Sequence, residues 1–175
     1  ATPRAGGRAA LPRALRGRPD LFAGYTSVEE ADVTVLGIVE AGPGEYHVFL
    51  VHTPFYLQSG GQISVTGVLS TPGGQSYPVT GVVKVDPAYP RAHVVQMPAG
   101  ALKDGDKVTA TVDVTRRDAI RRNHTGTHLL HAALRQRLGS HVRQAGSLVA
   151  PDRLRFDFSH FQALTGDDKR EIQRV

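Results

Sequence analysis

The chain has 175 residues, 40% of them hydrophobic and 21% charged, with no cysteine and a net charge of +5. That length holds one good-sized domain or two small ones, and the lack of cysteine excludes disulfides and thiolate metal ligands within the chain. There is no apolar run of about 18 residues or more, and no apolar segment follows the basic N-terminus. A transmembrane helix and a secretory signal are therefore not expected, and the cytoplasm is the expected compartment.

The charge is unevenly spread. Residues 1–18 carry +5, residues 19–115 carry −6 and residues 116–175 carry +6. Of the 21 basic residues 17 are arginine, whose planar fork suits phosphate. An acidic middle joined to a basic C-terminal part suggests two units, one of which meets an anion such as nucleic acid. The other reading is that the arginines only cover a solvated surface.

Residues 1–20 are rich in Pro, Gly, Ala and Arg. No apolar period survives the prolines, so this stretch reads as a linker or the cut end of a preceding domain. From Val33 to Val114 the pattern is of short strands: Val33–Glu40, Tyr46–His52, Gln62–Ser70, Tyr77–Val85, Arg91–Met97 and Lys107–Val114. Six strands with turn signals between them predict a small β-barrel over residues 21–115.

After Val114 the period changes. Thr115, with Asp118 three residues later, resembles a capping box. Apolar residues at helical spacing then run to Leu138, and Gly139 is a stop signal. Two strand-like runs follow, His141–Ala150 and Arg153–Ser159, turned by Pro151-Asp152. A second helix begins at Gly166, with Asp167 and Asp168 where the helix dipole favours acids.

Three histidines lie in the first helix. His124 and His128 are about 40° apart around its axis, and His131 falls within about 20° of His124. An i, i+4 histidine pair is how one helix gives two nitrogens to a tetrahedral zinc. The other reading is three surface histidines on a basic helix. His141 and His160 are the remaining imidazoles of this part and suit surface positions equally well. A further stretch, TPFYLQSGGQISVTG at 53–67, offers aromatic surface at Phe55 and Tyr56. Its glycines permit a tight turn and close ligand approach, or else form a barrel corner. Gln144 is a polar residue in a strand-like run.

Together, FAGY at 22–25, TPFYLQSGGQISVTG at 53–67, RRNHTGTHLLHAAL at 121–134 and VRQAGSLVAPDRLRFDFSHFQAL at 142–164 resemble alanyl-tRNA synthetases. The match in order and spacing runs from about Leu21 to the end. It implies a mainly β fold with an α+β part: a small β-barrel followed by the N-terminal part of an α+β editing domain (116–175). It also implies the activity of an alanine–tRNA ligase that hydrolyses tRNA(Ala) mischarged with Ser or Gly.

By the same resemblance His124 and His128 are Zn2+ ligands, completed by a Cys-x-x-x-His pair further along the parent. Thr127 and Gln144 line the editing pocket. Thr53, Pro54, Phe55, Tyr56, Gly60, Gly61 and Gln62 form a loop over it. Arg116, Arg117, Arg121 and Arg122 meet tRNA phosphates, and the substrate is the aminoacyl ester of the terminal adenosine. ATP and Mg2+ belong to an aminoacylation part whose motifs this chain lacks. The chain departs from the family at Ser64 and Val65, where Gly-Asp is common, and at Gly126, where Ala is common. Two alternatives are a free-standing trans-editing deacylase and a non-catalytic tRNA-binding module.

Overall fold

The computed structural model describes residues 10–57 and 63–174. These divide into two compact units: residues up to 57 with Ser64–Asp113, and residue 63 with Val114 onward.

The first unit is a closed, fully antiparallel six-stranded barrel. Its strands are β2 (Glu29–Gly42), β3 (Glu45–Leu50), β5 (Gly67–Ser70), β6 (Ser76–Val83), β7 (Ala92–Gln96) and β8 (Lys107–Val112), in the order β2-β3-β7-β6-β5-β8. Closure removes the free edges that would otherwise template aggregation. The long strand β2 makes closure possible. Its first half pairs with β8 and its second half with β3. A register shift between Glu30 and Val33, with Asp32 at φ 52°, bends it between the two partners.

Alternation sets the core. Val33, Val35 and Val39 point inward from β2, Val108, Ala110 and Val112 from β8. Each fully buried valine contributes roughly 1.5–3 kcal/mol of apolar transfer. A short parallel pair, β1 (Leu21–Phe22) and β4 (His52–Thr53), lies outside the barrel ladder.

Within the stretch read as linker, a 3-10 turn at Arg13–Leu15 places Leu15 at 2% exposure. It packs with Val39, Phe49, Tyr89 and Ala92, and Leu11 packs beside it. Residues 1–9 lie outside the described part. The strand expected at 62–70 enters the ladder only at Gly67. Ser64 and Val65 precede it as buried, non-ladder residues, with the Ser64 hydroxyl donating to the Val82 carbonyl at 3.1 Å.

The second unit has a 25-residue helix α1 (Val114–Leu138) and an antiparallel ribbon of β9 (Arg143–Val149) and β10 (Leu154–Ser159). A short helix α2 (Gly166–Gln173) follows. The Ile63 amide donates to the Val149 carbonyl at 2.9 Å, tying that segment to the end of β9. The capping box expected at Thr115–Asp118 does not form, because α1 already starts at Val114 and holds Thr115 in its first turn. A capping box does form at α2, between Thr165 and Asp168. Arg137 of α1 pairs with Asp168 at 2.9 Å, which fixes α2 to the end of α1.

Candidate functional site

α1 remains helical through Thr125, Gly126 and Thr127, which are weak helix formers. Packing supplies the stability that propensity does not. Ile120, Thr127 and Leu134 recur at seven-residue spacing and are buried. The Thr127 hydroxyl donates to the Asn123 carbonyl at 3.0 Å. The Asn123 side-chain amide donates to the carbonyls of Ala150 (2.6 Å) and Pro151 (3.2 Å), latching the helix to the β9–β10 turn. A Cβ at Gly126 would lie 3.1 Å from Leu154 Cδ2, so the ribbon approaches the helix closely there.

His124 and His128 sit on the exposed side of this helix. Their Nε2 atoms are 3.3 Å apart while their ring centroids are 4.9 Å apart, so both tips turn toward the gap between the rings. Two nitrogens on a tetrahedral zinc with bonds of about 2.0–2.1 Å are separated by about 3.3–3.4 Å. The pair therefore fits one edge of such a site. Among the described residues no group of three or more His, Cys, Asp or Glu could hold a metal. The chain thus presents two nitrogens of a set that needs three or four.

His131 does not join them. Its ring lies 5.1 Å from that of Phe156, and its Nε2 is buried with no hydrogen-bond partner among the described residues. A buried polar atom left unsatisfied costs about 1–3 kcal/mol. His131→Leu is accordingly expected to be neutral or stabilising in a urea melt, and to leave any zinc affinity unchanged. A loss of zinc affinity in this variant would make His131 a ligand after all. His141 and His160 pair with each other, Nε2 to Nδ1 at 2.9 Å, and not with the α1 pair.

Of the four arginines, Arg121 and Arg122 are exposed, and Arg116 and Arg117 are half-buried and engaged by neighbouring groups. Arg121 has only a 3.9 Å contact to Asp118, with both side chains largely solvated; such pairs are worth little. Asp118, Arg121, Arg122, Thr125, Gly126 and Leu129 line one open depression along α1. Thr127 is 6% exposed, whereas Gln144 on β9 is exposed. Across the ribbon Phe158 pairs with Gln144 and Asp157 with Gly146, leaving Ala145 as the extra residue of a bulge beside Gln144. Bulges of this kind re-aim neighbouring side chains.

No family model matches the chain. Curated relatives do. It is 47% identical to the alanine–tRNA ligase of Pseudoalteromonas translucida over 156 residues, covering 89% of this chain and 16% of that protein. It is 49% identical to that of Thermus thermophilus, covering 88% and 18%. It is 44% identical to that of Xanthomonas euvesicatoria, covering 97% and 20%. The chain belongs to the alanine–tRNA ligase family. It spans between 16% and 20% of the length of these ligases.

In this chain the Thr53–Phe55 part of the TPFY motif is buried with the barrel unit's core. Phe55 is 0% and Thr53 2% exposed. The Thr53 hydroxyl meets His93 Nε2 at 2.7 Å and accepts the Phe55 amide at 3.1 Å, while His93 Nδ1 meets the Val48 carbonyl at 2.8 Å. Only one tautomer satisfies every atom: Nδ1 donates to Val48, and Nε2 accepts from Thr53. Pro54 is buried and Tyr56 half-buried. Tyr56 meets the Phe22 ring of the FAGY motif edge-on at 5.9 Å. Gly60, Gly61 and Gln62 lie outside the described residues. Sequence reasoning missed His93 and Asn123. His93 carries no spacing signal, since its partners are 40 and 45 residues away. Asn123 offered one clue, an amide side chain directly before the first histidine.

Proposed function

We propose that this segment carries the post-transfer editing site of an alanine–tRNA ligase, which hydrolyses Ser or Gly esters on the terminal adenosine of tRNA(Ala). The observation that carries this reading is the His124–His128 pair, spaced as a zinc edge on an exposed, arginine-bearing helix. Membership of the ligase family supports it and favours it over a free-standing trans-editing protein. No helix among the described residues is long and apolar enough to cross a membrane, and the proposed setting is the cytoplasm. ATP and Mg2+ would serve the aminoacylation part of the parent.

His124 and His128 would hold the metal through Nε2, with the remaining ligands supplied by the rest of the ligase. Bound zinc would supply Lewis-acid polarisation. Thr127 has committed its hydroxyl proton to the Asn123 carbonyl. It can therefore only accept, which suits the hydroxyl or ammonium of a misattached serine. For the serine ester, a site with a waiting acceptor discriminates through a hydroxyl that alanine lacks. Gln144, exposed on its bulge, can both donate and accept and would orient the ester. Arg121 and Arg122 would neutralise phosphates, an affinity contribution that falls steeply with salt.

Calorimetric titration of the chain with ZnCl2 tests the metal half of this reading. One weak site is expected, and His124→Ala or His128→Ala should each weaken it by at least about tenfold. Equal zinc binding by the double variant would remove the pair from the site. In that case the segment becomes a tRNA-binding module without a metal.

A further inference from the structure

A second aromatic constellation lies away from the residues assigned so far, where α1 ends and β10 runs out. His141 Nε2 and His160 Nδ1 are 2.9 Å apart, their ring centroids are 5.1 Å apart and their planes differ by only 20°. Centroids that far apart, with nitrogens that close, mean two rings meeting end to end in nearly one plane. One N–H points straight into the other ring's lone pair. That contact leaves no converging lone pairs for a metal, unlike the turned-in tips of His124 and His128.

The result is a nearly flat imidazole pair. Phe161 stacks on its His141 half, 4.5 Å away and tilted by 22°, while the His160 ring is 6.0 Å away and tilted by 40°. Phe161 is nevertheless 86% exposed. A phenyl ring resting against one imidazole and otherwise open to water offers a face on which a second flat ring can stack. Arg143, opposite Ser159 in the β9–β10 ladder, is exposed and pairs with no carboxylate among the described residues. The segment 116–175 carries a net charge of +6. An exposed aromatic ring just past one strand and an exposed arginine on its neighbour, on a basic surface, are the features that hold single-stranded nucleic acid: the base stacks and the phosphate meets the cation.

We infer that Phe161, backed by His141, whose ring His160 holds end to end, is a stacking platform for one unpaired nucleotide of an RNA, with Arg143 taking an adjacent phosphate. This rests on the tRNA partner of the proposed function and adds a contact distinct from the editing pocket. An acidic protein partner would also cover Phe161, and the hairpin comparison below separates the two.

The test uses the 175-residue chain and two RNA hairpins with the same stem. One carries a four-nucleotide 3′ overhang containing 2-aminopurine, and the other is blunt. The wild-type chain should quench the fluorophore and prefer the overhang. Phe161→Ala should abolish the quench and lower affinity for the overhang by roughly 5- to 150-fold, to the level of the blunt hairpin. Phe161→Trp should keep both. Arg143→Gln should reduce the slope of log K against log salt by about 0.7. Because Phe161 is exposed, unchanged circular dichroism should show that each variant is folded. If Phe161→Ala keeps the quench and the preference, the platform is refuted while the tRNA reading stands. If the wild-type chain binds neither hairpin, both fall.

Discussion

Gly67→Ala is expected to lower the stability of the barrel unit by more than about 4 kcal/mol, a large share of what holds a small domain together. Gly67 opens β5 and is flanked on one side by Val79 and on the other by Val112. A Cβ added there would sit 2.0 Å from the Thr111 carbonyl oxygen and 2.9 Å from two carbons of the Phe55 ring. The carbonyl belongs to the barrel ladder and the ring to the buried TPFY motif, so neither has room to yield. Gly42→Ala is the matched control, since its Cβ would meet nothing closer than Glu45 Cβ at 4.0 Å. Thermal melts followed by circular dichroism should show the control unchanged. The Gly67 variant should melt roughly 15–30 °C lower or show no transition. A Gly67→Ala melt that overlays the wild type would mean that β5 can shift away from β8, contrary to the ladder described.

The barrel unit is also expected to lose about 3 kcal/mol of stability between pH 6.5 and pH 4 through His93 alone. Burial pushes this imidazole down from its ordinary 6.5 to about 4, and the Val48 carbonyl offsets that only in part. The neutral form is the one its hydrogen bonds require, because Nε2 must accept from Thr53. Between these two pH values the unfolded chain binds a proton that the folded one refuses, so stability rises with pH through that window. It is fully present above 6.5 and is lost as pH falls toward 4. The gap between 4 and 6.5 converts to about 3 kcal/mol.

The shifted carboxylates act elsewhere on the pH axis. Burial raises Asp20, but the bonds and charge of Arg91, with help from Lys84, bring it net below 3.8. Thr165, and then Arg137, hold Asp168 below 3.8. Both lose their contribution only under more acid conditions than His93. Urea melts at pH 7, 5.5 and 4 should show the slope. His93→Gln should start less stable at pH 7 and lack the slope of this residue. A wild-type slope of zero across that window would place a charged imidazole in the barrel and overturn the assigned tautomer.

The barrel was legible in the sequence because six short β-branched runs with glycine and proline between them have few other ways to bury their alternating faces. The helix of residues 114–138 and the two-stranded ribbon were legible from a change of apolar period after Val114. What escaped was set by distance along the chain. Leu15 hides among prolines and arginines and finds its place only against Val39, Phe49 and Tyr89. The capping box went to the wrong helix because Thr115 and Thr165 have similar local patterns. Only the tertiary start of α1 at Val114 separates them. In the candidate site the i, i+4 histidines could be read directly, since helix geometry alone brings them together. The end-to-end pairing of His141 with His160 joins residues 19 apart through the ribbon, and no local pattern announces it. Residues 53–56 could be read either as a barrel corner or as a ligand loop; the structure buries Thr53 and Phe55 in the barrel network around His93.

On the proposed function, His124 and His128 form one side of an editing site that clears mischarged tRNA. The most direct measurement is made in a full-length ligase carrying this segment. Hydrolysis of preformed Ser-tRNA(Ala) is compared between the wild type and a His124→Ala, His128→Ala double variant, with alanine charging measured on the same preparations. Hydrolysis is expected to fall by at least about 100-fold in the double variant while alanine charging is unchanged. Hydrolysis at the wild-type rate by a folded double variant would contradict it.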